Sequence, residues 1–318
     1  MKILVTGANG FIGSALIDLL VRHSDLDVVG MVRAKNTSFD NSSIECRLAE
    51  IAFSKGIDVD LSDIDIIVHT AGRAHIMDER SQNPLEEFRR VNTLGTLNLA
   101  RLAADSGVKR FIFLSSIKVN GESTSLGAPY SSNSIEKPQD AYGISKYEAE
   151  MGLRKISYES GLEIVVIRPP LVYGSGVKGN FNTLVKVLSL RVPLPLASIN
   201  NNKRSMVGID NLISLIVTCI HHRNAKNKTF LVSDNEDVST SDLLRKVGKS
   251  IDKPAVLFRF PVVLLTLMAK VCGMGTTAQR VLGTLQVDIS ETCKTLDWVP
   301  PFSIDYGLKK LSKKTELY

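Results

Sequence analysis

Aromatic residues make up only 6% of this 318-residue sequence, and Trp298 is its single tryptophan. Binding of single-stranded nucleic acid relies on displayed aromatic rings, and none are grouped here. The net charge of +6 suits a ligand with several phosphates and equally a loose attraction to nucleic acid or an anionic membrane, but the 39 Lys and Arg residues are scattered without a basic run, which argues against nucleic acid. Cysteine is equally scarce. Cys46, Cys219, Cys272 and Cys293 form no C-x-x-C pair, and no histidine spacing completes a zinc set. No metal and no disulfide framework are expected, and the thiols read as reduced, mostly buried groups of a cytoplasmic protein. Long apolar runs are missing too. Met1-Lys2 leads straight into Ile3-Leu4-Val5-Thr6-Gly7, too short for a secretory leader. The apolar segment 255–274 is interrupted by Arg259 and Lys270 and falls short of the ~20 residues of a membrane span. It reads as a buried or interfacial helix.

What is present is an alternation of strand and helix signals. Residues 2–7 are a continuous apolar run, as in a strand covered on both faces. Phe11, Ile12, Ala15, Leu16, Leu19 and Leu20 then recur at helical spacing. Further strands are predicted at 28–32, 48–51, 64–70, 110–115 and 163–168, with helices at 91–104 and 141–159. Pro169-Pro170 stops the last strand. The pattern predicts an α/β fold: a doubly wound parallel sheet over residues 1–170. Beyond 171, glycine- and proline-bearing loops alternate with short helices, which predicts a smaller, discontinuous substrate-binding domain over 171–318.

Glycines 7, 10 and 13 follow the first strand and open an amphipathic helix. They permit a tight turn, close approach of a pyrophosphate and close helix–strand packing, and the helix N-terminus offers free N–H groups to the anion. Dinucleotide binding follows. An NAD site commonly has a carboxylate at the end of the second strand; here the run is Gly30-Met31-Val32-Arg33-Ala34-Lys35. Arg33 and Lys35 suit a 2′-phosphate, so NADP(H) is favoured, with NAD(H) the alternative. Glu50-Ile51 closes the third strand, where the acid suits the adenine amino group, although Asp58 and Asp60 compete for that place.

Tyr142 and Lys146 stand four apart on a predicted helix and share a face. A neighbouring ammonium favours the phenolate, which makes Tyr142 an acid or base for a hydroxyl or ketone oxygen. Ser115-Ser116 ends the fifth strand, where ligands of doubly wound sheets sit.

On these residues, with Thr6-Gly7-Ala8-Asn9-Gly10-Phe11-Ile12-Gly13, His69-Thr70-Ala71-Gly72, Asn92 in a V-N-T-L-G-T run, and Arg168-Pro169, the chain resembles the extended short-chain dehydrogenase/reductases along nearly its whole length. The resemblance implies a Rossmann fold and the catalytic trio Ser116, Tyr142 and Lys146. It further implies cofactor contacts from Gly7, Asn9, Gly10, Phe11, Ile12, Thr70, Ala71, Gly72, Asn92, Ser115, Tyr142, Lys146 and Pro169. The second half resembles the branch that handles UDP-sugars: Asn180 for the nucleotide and Arg204 for the diphosphate, with Arg280 as a second cation. Arg73-Ala74-His75-Ile76-Met77 resembles a segment of reductases acting on UDP-4-keto-6-deoxy-N-acetylhexosamines in bacterial surface polysaccharide pathways, which implies that His75 lines the sugar pocket. Two positions depart from the pattern. Asn120 stands where the family often has Tyr, and Lys118, beside the sugar in the family arrangement, replaces a small residue of the epimerases.

The expected activity is reduction of a UDP-4-keto sugar at C4, with UDP-sugar 4-epimerisation as the alternative. A 4,6-dehydratase lacks its acidic pair in Ser116-Ile117-Lys118, and a non-catalytic dinucleotide sensor has no need of the intact trio. A homodimer through the helices at 91–104 and 141–159 is the family's implied assembly.

Overall fold

In the computed structural model of the chain, residues 1–33, 44–50, 59–73, 83–177 and 179–311 are described. The elements in chain order are β1 (Lys2–Thr6), α1 (Phe11–Leu20), β2 (Asp27–Val32), β3 (Glu45–Leu48), β4 (Ile66–His69), α2 (Pro84–Phe88), α3 (Thr96–Asp105), β5 (Arg110–Leu114), α4 (Ala141–Ser160), β6 (Glu163–Arg168), β7 (Leu171–Tyr173), α5 (Asn180–Ser189), β8 (Met206–Gly208), α6 (Ile209–His221), β9 (Lys228–Leu231), α7 (Thr240–Ser250), α8 (Val262–Val271), α9 (Gly275–Leu282), α10 (Ser290–Leu296) and α11 (Ile304–Lys309). A π-helical stretch, Arg89–Gly95, joins α2 to α3, so the expected helix at 91–104 starts earlier and is not uniformly α.

Seven parallel strands form one sheet in the order β3-β2-β1-β4-β5-β6-β9. Alternate side chains feed two cores. Ile3, Val5, Ile112, Leu114, Val165 and Ile167 join the core with α1 and α6, while Leu4, Phe111, Phe113, Ile164 and Val166 join the one with α3 and α4. A sheet covered on both faces must be apolar at every position, which is why these strands read as unbroken runs. The third strand is an exception. It lies at 45–48 rather than 48–51, on the sheet edge, largely exposed, and so carries little apolar signal.

Residues past 170 both complete this sheet, through β9 with α6 as cover, and build a third core of their own. That core contains Tyr173, Phe181, Met206, Val238, Leu244 and Ile304. Buried Asp234 ties it together by accepting hydrogen bonds from the Tyr173 hydroxyl (2.7 Å), Gly208 N (2.8 Å) and Asn211 Nδ2 (2.7 Å).

No helix among the described residues is long and apolar enough to cross a membrane. The segment expected to be a buried or interfacial helix forms α8, and none of its residues is buried. All four cysteines are free. Cys219 is buried, but Cys46 on the edge strand and Cys272 after α8 are exposed, contrary to the expectation of mostly buried thiols.

The ends of β5 and β6 are locked to α4 by a buried ion pair. Glu150 and Arg168 have 0% and 1% exposure. Arg168 donates from Nη2 to Glu150 Oε2 (2.6 Å), from Nε to Oε1 (3.0 Å), from Nη1 to Asn120 Oδ1 (3.1 Å) and from Nη2 to Glu136 Oε1 (3.0 Å). The Ser115 hydroxyl donates to the same Glu150 carboxylate. Burial alone pulls the guanidinium's pKa down, but Glu150 and Glu136 hold it above its ordinary value. Glu150→Gln leaves a buried guanidinium undercompensated and is expected to cost about 3 kcal/mol in urea unfolding. The double variant Glu150→Leu/Arg168→Met removes both charges and should recover most of that loss; equal destabilisation by both variants would show that the charge pairing is not the cause.

Candidate active site

The sheet reverses its winding between β1 and β4, and the carboxyl ends of those strands open the crevice where ligands of doubly wound folds sit. Two threonines and a histidine brace this point. His69 is fully buried, with Nδ1 2.7 Å from Thr6 Oγ1 and Nε2 3.0 Å from Thr96 Oγ1. Thr96 spends its proton on Asn92 O, so Nε2 of His69 must be the donor and Nδ1 the acceptor. Burial, with a smaller push from Lys146, drives the His69 pKa down to about 3, so the ring is neutral.

Gly7 has φ +67°, and a Cβ there would sit 2.9 Å from the Ala71 backbone; one at Gly13 would sit 2.2 Å from Gly7 O. Only glycine therefore lets the β1–α1 turn close against the end of β4. The Thr70 hydroxyl donates to Thr6 O (2.7 Å), and Ala71 N to Thr6 Oγ1 (3.2 Å). Helix α1 begins after Gly10 with no side-chain cap, so its first N–H groups face the crevice without an internal acceptor. Asn9 is exposed there, with Phe11 and Ile12 half-buried at the helix start. Opposite, a Cβ at Gly72 would press on Lys146 Nζ (3.3 Å) and Asn92 Oδ1 (3.2 Å). An uncapped helix start and a glycine-lined floor beside a lysine fit a dinucleotide's pyrophosphate and ribose.

Helix α4 carries two of the residues expected to be catalytic. Asp140 caps it, Oδ1 accepting from Gly143 N at 2.7 Å. A Cβ at Gly143 would meet Lys118 O at 2.9 Å, so this glycine allows the first turn to approach the Ser116 loop. Tyr142, Lys146 and Glu150 then form one stripe, each four residues from the last. The Tyr142 hydroxyl lies beside Ser116, and its ring meets Phe88 edge-on at 5.9 Å. Lys146 donates to Leu114 O (2.9 Å) and lies over the Phe113 ring at 4.5 Å. The expected trio is thus brought together.

Its electrostatics differ from expectation. The Tyr142 phenol is pushed up to about 12, first by burial and then by the Asp140 charge, with the neighbouring Ser116 only partly opposing them. Lys146 points at the Leu114 carbonyl and does not lower it. Burial brings Lys146 itself down to about 8, against the pull of Glu150.

Three residues given ligand roles are engaged within the protein. Lys118 pairs with Asp140 and, at 2.8 Å, with Glu122. Asn92, turned inward by the π-helical stretch, uses its amide on Arg73 N (2.8 Å), Arg73 O (3.1 Å) and Ser145 Oγ (3.1 Å). The Ser115 hydroxyl belongs to Glu150. Buried Pro169 follows β6 and accepts from Ile117 N (2.9 Å), which seats the Ser116 loop.

Arg33 is exposed at the end of β2, and Glu50 lies just past β3. Ile51, His75, Lys35 and Asp58 lie outside the described residues, as does the Asn180 side chain; its backbone opens α5 after Gly179. Arg204 is held by backbone pairing with Val238 and donates to Gly283 O (3.3 Å). Burial, and behind it Arg280, lower its pKa, while Glu122 opposes. Arg204 and Arg280 are near enough for the charge of one to act on the other.

Asp140, Glu122 and Glu150 were missed in the sequence. Glu150 had a signal, one turn beyond Lys146 on the same face, and Asp140 had the ordinary helix-start signal.

Residues 3–233 match the sequence profile described as the NAD dependent epimerase/dehydratase family. The chain is 45% identical over 312 residues to a UDP-glucose 4-epimerase of Vibrio cholerae, covering 98% of this chain and 94% of that one. It is 23% identical to N-acetyl-alpha-D-glucosaminyl-diphospho-ditrans,octacis-undecaprenol 4-epimerase of Escherichia coli O157:H7, covering 97% and 93%. In fold it is similar to the crystal structure of UDP-glucuronic acid 4-epimerase from Bacillus cereus in complex with NAD, with a TM-score of 0.80, 23% identity and coverage of 100% and 97%.

In the protein stripped of dinucleotide, Lys146 is expected to lose its proton near pH 8, well below ordinary lysines. Carbon-13 NMR of ε-labelled lysines, with Lys146→Met to assign the signal, checks this. A Lys146 signal titrating with the surface lysines would contradict the burial argument.

Proposed function

This chain belongs to the NAD dependent epimerase/dehydratase family, and on that footing we propose that it is a UDP-sugar 4-epimerase holding NAD as a resident cofactor. The observation that carries the reading is the 45% identity, along 98% of the chain, to a UDP-glucose 4-epimerase. It displaces the reductase with exchanging NADPH that the sequence favoured. That expectation leaned on Arg33 and Lys118. Lys118 is committed to Asp140 and Glu122, so it does not weigh against an epimerase.

Bound NAD would accept hydride from C4 of the sugar and return it. The chain's own residues do the rest. Tyr142 takes the proton from the C4 hydroxyl and gives it back, and Ser116, beside Tyr142, holds the same oxygen. The unassisted phenol is a weak base near pH 7, so its activation needs positive charge close by. Lys146 and the oxidised nicotinamide are the sources at hand. Inversion requires the hydride to return to the opposite face, so the sugar must turn while its carrier stays held. Arg204 and Arg280 provide that hold on the diphosphate, with Asn180 at the nucleotide and His75 beside the sugar. The diphosphate is common to the carriers named for both relatives above, whereas uridine is named only for the first. We assign the carrier end to the unit around the third core, within residues 171–318.

We also propose a homodimer through the outward faces of the Arg89–Gly95 stretch, α3 and α4, where Leu94 and Met151 are 52% and 45% exposed. Light scattering is expected to give a dimer that Leu94→Lys/Met151→Lys dissociates; a monomer from the start excludes it.

The activity is tested on the purified protein. Mass analysis of the denatured protein should release NAD, and NMR should show UDP-glucose converting to its C4 epimer. Tyr142→Phe should keep the NAD and lose about 10²–10⁴-fold in kcat. Arg204→Gln should raise KM about tenfold or more with kcat little changed. An empty site that prefers NADPH, with no epimer formed from any UDP-sugar, would return the assignment to the reductase.

A further inference from the structure

Helix α8 is built the wrong way round for a surface helix. Its outward face carries Val263, Leu264, Leu267, Met268 and Val271, between 46% and 81% exposed. These five fall within one side of the helix at 3.6 residues per turn. The inward side, Leu265, Thr266 and Ala269, is only half-buried. Phe258 before the helix and Met274 after it extend the apolar surface at 45% and 53% exposure. A contiguous apolar face of this kind on a folded protein marks a place of contact.

The charge around it selects the partner. From Lys253 to Val287 the sequence contains Lys253, Arg259, Lys270 and Arg280 and no Asp or Glu. Lys253 and Arg259, ahead of α8, and Lys270, in its last turn, are exposed. A second copy of the chain docked on this face would bring two such basic segments together with no acid within the segment to offset them. An anionic phospholipid surface offers apolar tails to the face and negative headgroups to these cations. Ten residues of helix are too short to cross a bilayer, so α8 would lie along it.

We propose that residues 256–274 dock the protein peripherally on anionic phospholipid bilayers, with α8 seated at the headgroup–acyl boundary. The polypeptide leaves α8 directly into α9, which carries Arg280. The inference does not depend on the epimerase assignment, because vesicle binding is read without substrate or activity.

The experiment is co-sedimentation of the full chain with vesicles of phosphatidylcholine alone and of phosphatidylcholine mixed with phosphatidylglycerol. The protein is expected in the pellet with the anionic vesicles and in the supernatant with the neutral ones. The variant Val263→Ser/Leu267→Ser/Met268→Gln changes only exposed side chains, and should weaken binding at least about tenfold while retaining the wild-type melting temperature. Arg259→Gln/Lys270→Gln should remove the preference for anionic vesicles. Absence from the anionic pellet would overturn the proposal, and so would unchanged binding by the apolar triple variant. Light scattering that shows a dimer dissolved by the triple variant, without vesicle binding, would assign the face to a second copy instead.

Discussion

The buried pairing of Glu150 with Arg168 is the constraint from which the catalytic geometry follows. Glu150 sits one turn beyond Lys146 and two beyond Tyr142 on α4, and Arg168 is the last residue of β6. Their hydrogen bonds fix the rotation and the axial position of α4 against the carboxyl ends of β5 and β6. Ser115 joins the same carboxylate, and Lys146 reaches back to Leu114 O, so three consecutive residues of the β5 end, 114–116, are tied to one face of one helix. A buried ion pair adds little net stability over an apolar replacement, but it tolerates only one register. Here that register sets Tyr142 against Ser116.

The same pair has an electrical consequence. Lys146 lies in a dry environment under the Phe113 ring, and its charge survives there partly because Glu150 is one turn away. Lys146 in turn helps keep His69 neutral at the switch point, where a protonated ring could not accept from Thr6. The core ion pair, the lysine and the histidine thus form one chain of dependence running from β6 to β1. The dinucleotide crevice lies at its end.

Much of this was legible in the sequence, and the reasons are specific. Central strands such as β1, β5 and β6 are apolar on both faces, so a plain apolar run announces them. The edge strand β3 has neither alternation nor an apolar run, and its position was misread by about three residues. The glycines at 7 and 13 have backbone reasons that spacing encodes. Side-chain destinations are harder to read. Asn92 and Ser115 stand at family positions read as cofactor contacts, yet their polar groups are spent on Arg73, Ser145 and Glu150. Lys118 reads in sequence as a group for the sugar, but it is held by Glu122, four residues on, and by Asp140, 22 residues away and invisible to local patterns. The pKa of Tyr142 was misjudged for a related reason. Spacing of four brings a lysine near a tyrosine, but it does not say which way the ammonium points.

The contrast between reductase and epimerase turns on where the protein grips its substrate. A reductase gains by holding the ketone itself rigidly, since hydride arrives once and from one side. An epimerase must hold everything except the sugar. In this chain several polar groups near Tyr142 are engaged with one another: Lys118 with Asp140 and Glu122, Asn92 with Ser145, Ser115 with Glu150. Arg204 and Arg280 lie on separate later segments, near enough for the charge of one to act on the other. Under the proposed epimerase reading, a grip on the phosphate end, with the side chains around the reacting end occupied elsewhere, would leave the ring free to turn, and that freedom is what inversion at C4 requires.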